Sequence, residues 1–178
     1  HRGQQSYILD GANTGLGDEM ITNGDFSSGS TGWTLGTDGT TNNTWTVADG
    51  KAIHTDVGPS DGSSSNVIAL TQSVALVAGV QYKLSFDFAA DSSGRFGIIG
   101  SAMQLYSYTT YNTDENVTIY FTPSGAHTTI AFSASQISDT FSLDNISLKP
   151  VNDKNHATTV FYGDEILDNN TFTSDLSD

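Results

Sequence analysis

The sequence predicts an all-β fold, a two-sheet antiparallel sandwich, on three observations. Apolar and polar residues alternate over several short runs, while no window of ten or more residues carries an apolar stripe at helical spacing. The chain holds 22 Ser, 23 Thr, 12 Asn and 18 Gly, so 75 of 178 positions are small, polar or permissive, which suits short strands joined by many turns. Of its 20 acidic residues 17 are Asp and only three are Glu, and Asp favours turns over helical surfaces. At 178 residues the chain is long enough for one compact core and too short for two of ordinary size.

Residues 1–16 (HRGQQSYILDGANTGL) show neither period and read as a linker or the end of an upstream segment. His1 is no initiator methionine, so the chain is expected to be a processed product or an excised piece. TWTVA and KAIHT flank Asp49-Gly50, a dipeptide tolerant of positive φ, and predict a hairpin over 44–56. VIALTQSVAL (67–76) is the next strand. Val80, Tyr82, Leu84, Phe86 and Phe88 then alternate with Gln81, Lys83, Ser85 and Asp87, a half-buried strand with one core face and one wet face. RFGII (95–99) and MQLYSY (103–108) follow. Val117, Ile119 and Phe121 alternate with Thr118, Tyr120 and Thr122, and Ile130, Phe132 and Ala134 repeat the pattern downstream. In TFSLDNISLK (140–149) the apolar parity switches between Leu143 and Ile146, which predicts a β-bulge at Asp144-Asn145. About nine short strands result, within one module over residues 17–150.

Residues 151–162 read as a connector. GDEMITNGDFSS, from Gly17, returns 146 positions later as GDEILDNNTFTS, with six of twelve residues identical, so 163–178 reads as the start of a second copy. Such a chain would sample a tandem array and would associate with other copies.

Several functions are excluded. Six basic residues and a net charge of −14 supply no footprint for nucleic acid or anionic lipid. No apolar run approaches the roughly 20 residues of a membrane-spanning helix, so membrane insertion is not expected. Without cysteine there is no disulfide framework, thiolate metal site or cysteine nucleophile. His1, His54, His127 and His156 lack metal-ligand spacing, Glu115 in YNTDENVT reads as solvated loop, and no nucleophile elbow or HExxH is present. The chain reads as non-catalytic. Sequons at Asn42, Asn116, Asn145 and Asn169 are no more than this Ser- and Thr-rich composition yields by chance.

NGDFSSGSTGW, DGKAIHT, ALTQSVALVAGVQYKLSFDF and FSLDNISLKPV occur in that order. Together they resemble the jelly-roll carbohydrate-binding modules that accompany bacterial xylanases and cellulases, a fold also seen in phage and surface structural proteins. The likeness covers roughly residues 17–150. It implies a jelly-roll β-sandwich of two antiparallel sheets, often a glycan cleft on one sheet, and often a structural calcium (Ca2+) where the first and last strands meet. It also implies polysaccharide or surface glycan as partner and an extracellular or virion-surface location; the alternative is a structural building block of a virion appendage or extracellular filament. The acidic residue that commonly follows the Phe of NGDF is Ser27 here, a departure at the calcium site. Asp144, at the bulge, is the first metal candidate and Asp25 the second, since calcium takes six to eight oxygens.

Sugar rings need flat apolar surface for their faces and amides or carboxylates for their hydroxyls. Alternation places Gln104, Tyr106 and Tyr108 opposite the core face of their strand, and Tyr120, Lys83 and Asp87 on the polar faces of theirs. The expectation is one concave sheet that collects all six. Trp33 and Trp45 read as core: Trp45 shares a face with Val47, and the resembling family usually buries the residue at Trp33.

Overall fold

A computed structural model of the chain describes residues 15–37, 43–56, 68–90, 94–101, 103–134 and 140–151. These form ten strands: β1 (Trp33–Leu35), β2 (Asn43–Ala48), β3 (Lys51–Asp56), β4 (Ile68–Leu76), β5 (Tyr82–Ala90), β6 (Gly94–Gly100), β7 (Met103–Tyr111), β8 (Glu115–Phe121), β9 (His127–Ala134) and β10 (Thr140–Pro150). They pair into two five-stranded sheets, β1-β4-β9-β6-β7 and β2-β3-β10-β5-β8, every pairing antiparallel. Apart from the β2–β3 and β6–β7 pairs, successive strands cross between the sheets, and the result is a jelly-roll β-sandwich.

Alternation decides which side chains fill the sandwich. Leu84, Phe86 and Phe88 of β5 and Ile130 and Phe132 of β9 are at most 2% exposed, and the residues between them on β5 point outward. Trp45, Phe86, Phe88, Phe96, Tyr111, Phe132 and Phe141 touch one another as a continuous aromatic network, with ring centroids 5.1–6.1 Å apart along most of it. Both tryptophans are core, Trp33 through contacts with Phe26 and Phe132.

Asp49 and Gly50 both adopt positive φ at the β2–β3 turn, as the hairpin reading expects. The β10 bulge lies where the parity switch puts it: the register with β5 shifts between Asp144 and Ser147, and Asn145 has φ 50°. β1, only three residues long, was not among the expected strands. Ahead of it, residues 17–26 run along the end of β10, with Met20 N donating to the Leu148 carbonyl and Ile146 N to that of Gly24. Residues 1–14 and 152–178, which carry the upstream linker, most of the connector and the second-copy segment, lie outside the described residues.

Candidate functional site

The outer face of the β1-β4-β9-β6-β7 sheet is built from residues that alternate with core. Ala69, Thr71 and Ser73 come from β4, Thr129, Ala131 and Ser133 from β9, and Arg95, Gly97 and Ile99 from β6. Cross-strand register sets Ser133 between Ala69 and Gly97, and Ala131 between Thr71 and Ile99. The middle of this face is therefore small and uncharged. Onto it lies the Tyr108 ring. A Cβ at Gly97 would stand 3.1 Å from a ring carbon, so only glycine lets the ring lie this close to the backbone. The Tyr108 hydroxyl and Ser133 Oγ share a hydrogen bond of 3.1 Å, and Arg95 places its guanidinium carbon 5.2 Å from the ring centroid, a cation–π contact. Ser133 is 1% exposed on an outer face, a consequence of the ring beside it. Gln104, opposite Ile99, is exposed at the rim, its Nε2 donating to the Tyr106 carbonyl at 3.3 Å.

Tyr106 is not on this face. The β6–β7 register shifts twice, pairing Ile98 with Tyr106 and then Ile99 with Gln104. The extra residue turns Leu105 and Tyr106 both toward the interior, where they pack against the core. Unbroken alternation placed Tyr106 outside; the bulge reverses it.

The expectation that one sheet collects all six candidates is also overturned. Lys83, Asp87 and Tyr120 belong to β5 and β8 of the other sheet, and Lys83 pairs directly with Tyr120. Two facing sheets stand about 10 Å apart, so the two groups occupy opposite outer faces. Asp87 accepts from Asn116 Nδ2 and Asn145 Nδ2, both at 2.7 Å. These two amides, first Asn145 and then Asn116, hold its carboxyl below the usual carboxylate range, with Lys51 adding to the effect. Arg95, Gly97 and Ser133 were missed. The parity of RFGII places Arg95 and Gly97 together, but only the register brings Ser133 beside them.

At the junction of first segment and last strand, Asp25 is exposed and its Oδ1 accepts from Ser27 N and Oγ; Asp144 Oδ1 accepts from Asn145 N at 2.7 Å. Among the described residues no three Asp, Glu or His converge as a metal cluster, so a calcium here would need neutral oxygens to complete its shell. Glu19, which sequence reading passed over, makes the junction. Its Oε1 accepts from the backbone N of Met20, Ile21 and Leu148 at 3.1, 3.0 and 2.8 Å, while Oε2 accepts from Ser147 Oγ and faces Lys149 Nζ at 3.9 Å. Glu recurs in the same place in the GDEI repeat, the one signal that could have singled it out.

No protein-family model and no curated protein matches the chain. Solved structures do. A CBM4 module aligns with TM-score 0.56 and 20% identity, over 73% of this chain and 99% of its own. The CBM22-1 xylan-binding domain of Paenibacillus barcinonensis Xyn10C aligns with TM-score 0.53 and 12% identity, over 76% and 96%. The chain has the fold of a carbohydrate-binding module. Tailspike protein 4 of bacteriophage CBA120 contains the same fold, with TM-score 0.53 and 19% identity over 75% of this chain and 21% of the tailspike chain. At these identities the likeness is one of fold, and function rests on the site. Among the described residues of this carbohydrate-binding-module fold, no helix is long and apolar enough to cross a membrane.

Proposed function

We propose that the chain is a non-catalytic glycan-binding module of an extracellular multidomain protein, with its binding face on the outer side of the β1-β4-β9-β6-β7 sheet. The observation that carries this reading is the Tyr108 ring lying on Gly97 beside a floor of small residues. A pyranose presents a C–H face to an aromatic ring and hydroxyls at its rim, and Thr71, Thr129, Gln104 and Arg95 supply hydroxyl, amide and guanidinium partners around that ring. With a net charge of −14 the module favours neutral polysaccharides over polyuronates. Affinity gel electrophoresis against xylan, β-glucans, mannans and alginate tests it. At least one neutral polysaccharide should retard the protein, and Tyr108→Ala should weaken that retardation about tenfold, about 1.4 kcal/mol. Silence across the panel removes the reading. The calcium proposed at Asp144 and Asp25 is tested by melting in excess chelator: a lower Tm supports it and an unchanged one dismisses it.

A second reading, a structural block of an appendage or filament, draws support from what the repeat keeps. Glu19 makes the junction with the last strand. Asn23, at φ 52°, donates to the Gly29 and Thr31 carbonyls and accepts from Ser28 N. Phe26 is buried against Trp33. All three recur, as Glu165, Asn169 and Phe172. The repeat departs at Gly24, where a Cβ would strike the Ile146 carbonyl and which the sequence replaces with Asn170. Light scattering of the full chain and of residues 1–162 tests this reading: assembly lost on deletion supports it, and the same oligomer from both dismisses it.

A further inference from the structure

The opposite face of the sandwich, on the β2-β3-β10-β5-β8 sheet, carries a hollow of about 250 Å³. Its floor is one rung of the ladder, Ile53–Ser142–Ala89, in which β10 pairs with β3 on one side and β5 on the other. Every member points away from the core because Ala52, Phe141, Leu143 and Phe88, its chain neighbours, point in. Thr140 stands one rung above, and Lys51 stands at the other end, two residues before Ile53. Asp114, just ahead of β8, closes the side beyond Ala89. Next to the floor lies the polar rung of Asp144, Asp87 and Asn116.

Three features define what such a hollow takes. Its floor is apolar at Ile53 and Ala89, so a ligand must offer a C–H face. Around that floor stand polar groups with capacity to spare: among the described residues the Thr140 and Ser142 hydroxyls have no partner, the Lys51 ammonium makes no hydrogen bond or close ion pair and acts on Asp87 only through its field, and Asp114 uses only Oδ1, accepting from Ala90 N at 3.1 Å. The two charges at the rim, Lys51 and Asp114, are of opposite sign, and the neighbouring Asp87 and Asp144 disfavour an anion. The volume lies below the ~300–1,000 Å³ of drug-sized sites, enough for one ring and not for an extended chain. We propose that this hollow is a second, independent binding site for a single neutral sugar residue, such as the terminal residue of a glycan. The module would then engage glycan on both faces, a chain segment on one and a chain end on the other, and one copy could bridge two glycans.

The site does not depend on the Tyr108 face, and nuclear magnetic resonance separates them. The full-length, 15N-labelled protein is titrated with the methyl glycosides of D-xylose, D-glucose, D-galactose and D-mannose. At least one should shift the amides of Ile53, Ala89 and Ser142 with millimolar saturation, and Tyr108→Ala should leave those shifts in place. Lys51→Ala combined with Asp114→Asn, which keeps the acceptor for Ala90 N, should weaken them at least tenfold. Ser142→Phe, which fills the hollow from its floor without touching the core, should abolish them. If Ser142→Phe does not fold, the Lys51/Asp114 variant carries the test. Absence of shifts with all four glycosides, or shifts that persist unweakened in the Lys51/Asp114 variant, overturns the proposal whatever the outcome at Tyr108.

Discussion

Glu19 shows how one side chain can close a sandwich. Three backbone N–H groups and a hydroxyl converge on its carboxylate, joining residues 128 and 129 positions apart. Bonds of that kind to a charged acceptor contribute about 1.5–3 kcal/mol each where they are sheltered, and less at this partly exposed junction. Glu19→Ala should therefore cost about 2–3 kcal/mol in chemical denaturation, and Glu19→Gln, which keeps the Oε1 acceptor, clearly less. An Ala variant as stable as the parent would show that the junction is held by other contacts. Nothing local in GDEM reveals this role, because every partner on β10 is remote in sequence; the retained Glu165 is the only trace. Tyr111 gives a second residue-scale outcome. Burial, first, and then Tyr106 and Glu115 push its phenol from 10.0 up to about 12. Since the unfolded chain loses that proton near 10 and the folded one near 12, the stabilisation is whole below pH 10 and is lost as pH rises toward 12. Absorbance titration of phenolate should find one late-titrating tyrosine that Tyr111→Phe removes; an unchanged curve would contradict the assignment.

At the scale of the strand, alternation reads well where the ladder is regular and fails where it shifts. β5, β8 and β9 lie close to where period-2 patterning placed them, because each carries at least three buried apolar residues at alternate positions. The β10 bulge was legible since it flips the parity of four large apolar residues, Phe141, Leu143, Ile146 and Leu148. The β7 irregularity was not, because Leu105 and Tyr106 are both plausible inward residues and only pairing with β6 shows that both are inside. β1 escaped notice because three residues carry no period. The proposed glycan face is likewise a property of register, assembled from residues of β4, β6, β7 and β9. Gly97 is its hinge. Gly97→Val should lift the Tyr108 ring, weaken polysaccharide retardation as much as Tyr108→Ala does, and leave the fold intact by circular dichroism, as the added carbons meet ring rather than backbone. Full affinity in that variant would show that the ring's seat on Gly97 does not matter.

At the scale of the whole molecule, an aromatic network joins two sheets whose outer faces differ in chemistry. One has a small, uncharged middle capped by Tyr108 with Arg95 beside it; the other carries three lysines, Lys51, Lys83 and Lys149, among the carboxylates of Asp87 and Asp144. A core of this kind should be sensitive at its centre: Phe96, in contact with Phe86, Phe88, Tyr111, Phe132 and Phe141, should cost about 3–5 kcal/mol in chemical denaturation when cut to Ala, a large share of an ordinary domain's stability. Stability and binding separate cleanly in this architecture, because outward side chains contribute little to the core. Whether glycan lies along the β1-β4-β9-β6-β7 face is decided by a crystal structure of the protein with an oligosaccharide of the polysaccharide that retards it most. A sugar ring should stack on Tyr108 above the Gly97–Ser133 floor. An oligosaccharide bound elsewhere on the sandwich, with Tyr108 and Arg95 untouched, would contradict it.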